Sequence, residues 1–131
     1  MGFFDFFKIF FHPSSLIVSS QDRELITKKW QEIENLMILK RPSAFKQAII
    51  EADKLLAYTL EKMNYQGSLG DKLKASKNKF SQAVYNDLWE AHKIRNRLVH
   101  EVSAEINSFQ AQKAIKDFKK GLRQLGIYEV L

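Results

Sequence analysis

The chain contains no cysteine, two prolines and five glycines among 131 residues. The missing thiols exclude a disulfide scaffold, a cysteine nucleophile and thiolate metal sites, and they leave the redox compartment undecided. So few helix breakers imply long regular elements. No apolar run approaches the roughly 20 residues that span a bilayer. A cleavable leader is not expected: Asp5 stands where a secretory signal has its basic cluster, and no small-residue cleavage site follows. N-terminal acylation is not expected either, because Phe6 occupies the position that needs Ser or Thr.

What is present is a folded composition, with 45% hydrophobic residues and a formal charge of +6. The length fits one domain with one core. The charge is uneven: residues 1–65 carry +1 and residues 66–131 carry +5. A basic half points to a polyanionic partner such as RNA, against the plainer reading of a solvated lysine-rich surface.

Two units are expected, an aromatic amphipathic segment over 1–18 and a helical domain over 19–131. Six of the ten phenylalanines fall in residues 3–11: Phe3, Phe4, Phe6, Phe7, Phe10 and Phe11. As a helix this stretch leaves only a narrow polar stripe of Asp5, Lys8 and His12, and Pro13 ends it. Such a surface calls for cover. It lies on a membrane as a peripheral contact, or it packs against its own bundle or a second copy. The expected location is the cytoplasm, with the inner membrane face as the peripheral site.

The remainder reads as an up-and-down all-α bundle of four to five helices, with no alternating strand pattern to compete. The first helix spans about Gln21 to Leu39 behind a Ser19 or Ser20 cap, with Ile26, Trp30, Ile33 and Met37 inward and Leu25 and Leu36 widening the stripe. The second spans about Ala44 to Met63, capped by Ser43. Phe45, Ala48, Ile49, Ala52, Leu55, Leu56, Thr59 and Met63 form its core face. A short third runs from Leu69 to Ser76. The fourth runs from about Gln82 to Val99 behind Ser81. The fifth runs from about Ser108 to Leu125, with Ala111, Ile115, Phe118, Leu122 and Leu125 inward and Gly126 closing it. Short connections make neighbouring helices antiparallel.

The fourth helix carries the chemistry. Val84, Leu88, Ala91 and Leu98 form an apolar stripe that Arg95 interrupts. A guanidinium there needs a partner or a polar cleft. The available carboxylates are Asp53 and Glu90, and pairing with either would make the arginine purely structural. The adjacent row holds Tyr85, Trp89, His92, Asn96 and His100, so Asn96 can hydrogen-bond either histidine. Tyr85 and Trp89 are expected in the core or an interface. A metal is not expected, because His92 and His100 lie about 12 Å apart along the helix, and no cofactor is called for. Arg95 and His100 are separated by about 7.5 Å of rise and 140° of rotation. One helix does not bring them together, whereas two antiparallel copies of it would, in a two-fold dimer with a composite cleft. The pair suits cleavage of RNA: a histidine moves the 2′-OH proton and an arginine neutralises the phosphorane oxyanion. The structural alternative keeps His100 as a helix-end residue favoured by the dipole.

Arg95-Asn96-Arg97-Leu98-Val99-His100 resembles the Arg-polar-x3-His motif of the HEPN superfamily of four- or five-helix bundles. The run Glu51-Ala52-Asp53-Lys54-Leu55-Leu56 resembles the second helix of such proteins, and the likeness spans roughly residues 20–126. The phenylalanine-rich start is not a usual feature of that superfamily. The resemblance implies a prokaryotic homodimer with the motif at its interface and Arg95, Asn96 and His100 as catalytic residues. Arg97, Lys93 and His92 are placed to contact RNA. Active members are metal-independent endoribonucleases of toxin–antitoxin, defence or RNA-processing systems, so a separate antitoxin or regulatory protein is an expected partner. Other members are inactive binding modules. Here that alternative is an adaptor attached to a membrane or an assembly through residues 1–12.

Overall fold

The computed structural model describes residues 18–130, so the expectations for Phe3 to Phe11 lie outside it. Among the described residues every regular element is helical: α1 (Ser20–Ile38), α2 (Pro42–Lys62), α3 (Leu69–Ala75), a 3₁₀ turn (Lys77–Lys79), α4 (Gln82–His100) and α5 (Ser108–Gln124). None of these helices is long and apolar enough to cross a membrane.

Local chemistry sets most of the boundaries. The side chains of Ser19, Ser68, Ser81 and Asn107 each accept a backbone N–H from the first turn that follows them. Ser68 with Asp71 and Asn107 with Gln110 complete reciprocal capping boxes. The start of α2 differs from expectation. Pro42 occupies the first helical turn and Arg41 the cap position, without a side-chain hydrogen bond, so Ser43 is already inside the helix. Proline's fixed φ and missing donor suit that turn, and they displace the serine from the capping role. Gly126 terminates α5 at φ +97, a conformation that costs glycine little.

Side-chain bonds fix the directions of the helices. Tyr58 near the end of α2 donates to Asp22 at the start of α1. The backbone N–H of Ser81, the cap of α4, donates to the Gln124 side chain at the end of α5. Both pairs are therefore antiparallel. The tail after α5 returns to α1, where Arg23 pairs with Glu129 at 3.1 Å. Helix α2 is the hub and packs against α1, α3, α4 and α5.

One core runs through these contacts. Ile26, Ile49, Leu56, Leu60, Leu88, Leu98, Phe118 and Leu122 are fully enclosed. Ile127 and Val130 of the tail are buried as well, an extension of the core that the helical periodicity did not announce. Gly121 lets α5 press onto α4: a Cβ there would stand 2.8 Å from a Leu88 methyl. Leu25 and Leu36, which widen the α1 stripe, do not reach this core fully. Leu25 is exposed and Leu36 only partly buried.

Candidate functional site

Two apolar stripes are each broken by one charge, and the bundle brings those charges together. On α2, Asp53 follows Ile49 by four positions and precedes Leu56 by three, so it sits on the core face. On α4, Arg95 occupies the equivalent gap between Ala91 and Leu98. Packing α2 against α4 places Arg95 Nε 2.9 Å and Nη2 2.8 Å from Asp53 Oδ1. Of the two carboxylates available from sequence, Asp53 is the partner, while Glu90 faces out and meets Lys93 at 3.4 Å.

The second oxygen of Asp53 takes His92. Nδ1 of the imidazole lies 2.7 Å from Oδ2. The carboxylate only accepts there, so Nδ1 carries the hydrogen, and Nε2 is left to face Asn96. Asn96 Nδ2 donates to that Nε2 at 3.5 Å, a long bond. The result is a continuous polar chain, Arg95 to Asp53 to His92 to Asn96, within an apolar helix junction. Trp89 packs its ring edge-on to His92 at 5.9 Å and to Tyr85 at 6.4 Å, which fixes the imidazole plane from the other side.

Burial orders the chain from inside to outside. Asp53 is 1% exposed and His92 8%. The Arg95 side chain keeps 26% of its surface, so its guanidinium is anchored through one edge and open on the other. A buried carboxylate with two donors is stable only as a set, because removing one leaves an uncompensated charge. The arginine therefore does two things: it neutralises Asp53 and it retains N–H groups that point away from it.

His100 lies apart from this set. It is the last residue of α4, exposed, and among the described residues it has no hydrogen-bond or ion-pair partner. Its neighbours Val99 and Val102 are exposed apolar side chains. Arg97 reaches the carbonyl of Glu105 at 3.4 Å and so ties α4 to the loop that follows. Lys93 is exposed on the outer face of α4. Thus Arg95 and His92 come together on Asp53 and Asn96 joins them through His92, whereas His100, Arg97 and Lys93 remain on the surface. Among the described residues no group of three His, Asp or Glu side chains gathers to hold a metal ion.

Asp53 was legible only as one of two carboxylates for Arg95. A stronger signal was available, namely a lone acid on the apolar stripe of one helix facing a lone base on the apolar stripe of another. The engagement of His92 by the same carboxylate had no local signature, because the residues are 39 positions apart. Compared with family models, curated proteins and solved structures, the chain has no match.

Proposed function

We propose that the chain acts as a HEPN-like homodimer that binds RNA and cleaves it by general acid–base chemistry at a site shared between two copies. The observation that carries this reading is Arg95, a guanidinium fixed on one edge by buried Asp53 and open on the other. An arginine held in this way is preorganised to receive a phosphate without reorganising its own counter-ion. His100 is the free proton-transfer group on the same helix, and exposed Val99 and Val102 beside it supply apolar surface for a second copy.

In the proposed reaction the RNA 2′-oxygen attacks the adjacent phosphorus while one His100 removes its proton. The P–O5′ bond breaks, the other copy's His100 protonates the departing 5′-oxygen, and the product is a 2′,3′-cyclic phosphate. Arg95 holds the non-bridging oxygens as their charge grows. Asp53, His92 and Asn96 position Arg95 and do not meet the phosphate. The basic balance of residues 66–131 supports attraction of the polyanion. Cytoplasmic action in a toxin–antitoxin or defence setting, with a separate protein restraining it, belongs to the same reading.

A second reading rests on the same ion pair. Arg95 already satisfied by Asp53 is also what a non-enzymatic adaptor would need to close its core. Incubation of the pure protein with a mixed RNA pool in EDTA, beside an Arg95→Ala/His100→Ala variant, separates the two. Cleavage by the unmodified chain alone, with cyclic phosphate ends and DNA untouched, supports the nuclease. Intact RNA, or equal cutting of DNA, leaves the adaptor.

A further inference from the structure

Among the described residues, a long apolar surface away from the face that carries Arg95 lies open. An open groove of about 1050 Å³ runs between α1 and α2, floored by Leu25, Ile33, Leu36, Leu39, Leu55 and Tyr58. Leu25 and Leu39 are 39% and 49% exposed, large for leucines at the edge of a core. We propose that residues 3–11 of the same chain dock in this groove as a helix and complete the bundle.

Length, connection and chemistry support this occupant. From Leu25 to Leu39 the groove follows α1 for about 21 Å, at 1.5 Å per residue. A helix over residues 3–11 is about 13 Å long and fits within that span. The chain leaves the described fold at Val18, which is buried in the core and anchors the junction beside the α1 N-terminus. Residues 12–17 reach about 20 Å when extended, and Leu25 lies only about 7.5 Å along α1 from Ser20. So short a tether gives the segment an effective concentration in the millimolar range.

The polar residues select among occupants. Helices that lie on membranes are rich in Lys and Arg along their polar face. This segment offers a single lysine, Lys8, balanced by Asp5. The groove is bordered by both signs, in the pairs Lys29–Glu32 at 3.6 Å and Lys54–Glu51 at 3.9 Å, which Asp5 and Lys8 would join. The aromatic faces of Phe3, Phe6, Phe7 and Phe10 meet a leucine-lined floor of matching apolar character. The docked segment covers α1 and the outer side of α2 and leaves α4 free, so the proposal stands or falls independently of RNA cleavage.

Hydrogen exchange on the full chain tests this. Amides of residues 3–11 are expected to exchange at least about tenfold more slowly than an unstructured peptide, equally at low and high protein concentration and without lipid. Two variants should each abolish that protection, Leu36→Glu/Leu39→Glu on the groove and Phe7→Ser/Phe10→Ser on the segment. The second changes no residue of the described bundle, so it remains informative if the first fails to fold. Random-coil exchange in the unmodified chain overturns the proposal. So does protection that survives either folded variant, that rises with protein concentration as docking on a second copy requires, or that appears only with phosphatidylglycerol vesicles.

Discussion

Asp53 and Asp117 are both buried aspartates on helices that pack together, yet they are satisfied in different ways. Asp117 takes its partner from its own helix: Lys113, one turn earlier on α5, lies 2.8 Å away and also reaches Asp87 of α4 at 3.7 Å. That lysine is 54% exposed and would be solvated without the aspartate. Burial raises the Asp117 carboxyl above the usual aspartate range, against the opposing pull of Lys113, and the hydrogen bond to Asp117 raises Lys113. Asp53 draws both partners from another helix, and both stand where α4 should be apolar or enclosed. The first arrangement trims a surface. The second commits three side chains across a core junction to holding a guanidinium half open, and that is the arrangement expected of a site.

Substitution should separate the two aspartates, and the largest effect is expected at Asp53. Asp53→Ala leaves Arg95 without its counter-ion and His92 without its acceptor. It should cost about 3 kcal/mol, the lower end for a broken buried pair because Arg95 can still reach water. Denaturant titration would measure this, and RNA cleavage should disappear with it. A loss below about 1 kcal/mol would mean the network is no more than a surface bridge.

His100 sharpens the contrast by reversing it. His100→Ala removes an exposed, unpaired side chain, so stability should stay within about 0.5 kcal/mol. Cleavage should nevertheless fall by about 10²-fold or more, the usual cost of losing a general acid–base group. Single-turnover rates and thermal melts on the same sample would show whether activity and stability part in this way. Loss of both together would make His100 structural.

Asp117 should give the smallest effect and the clearest pH signature. A carboxyl raised by burial contributes stability that is fully present below the ordinary aspartate value of about 4. That contribution is lost as pH rises through its folded-state value. The unmodified chain should therefore lose stability relative to Asp117→Asn as pH rises above about 4, and at neutral pH the two should differ by less than about 1 kcal/mol. Denaturation midpoints across that window test the sign. A rise in relative stability with pH would show that Lys113 outweighs the burial of Asp117.

The helices and the anomaly at Arg95 were both legible in the chain. Ser19, Ser81 and Gly126 mark ends because their chemistry acts within one turn, and Ile26, Trp30 and Ile33 mark an inner face because the helical period is local. Ser43 misled because Pro42 next to it suits the first turn better than serine suits the cap. Leu25 and Leu36 were read as core because periodicity reports which side of a helix is apolar, and says nothing of whether a neighbour covers it.

By itself, then, the sequence determined an all-helical bundle, its breaks and the one stripe where a cation intrudes, all of which depend on residues within a turn of one another. Only the tertiary structure decided that Asp53 rather than Glu90 answers Arg95, that His92 shares the same carboxylate, that His100 stands alone, and that the seam between α1 and α2 lies open. Those outcomes depend on the register in which α2 meets α4, across some 40 residues of chain. Leu88, Leu98 and Phe118 share one core with the hub helix, and that register is a long-range packing solution that no local pattern encodes.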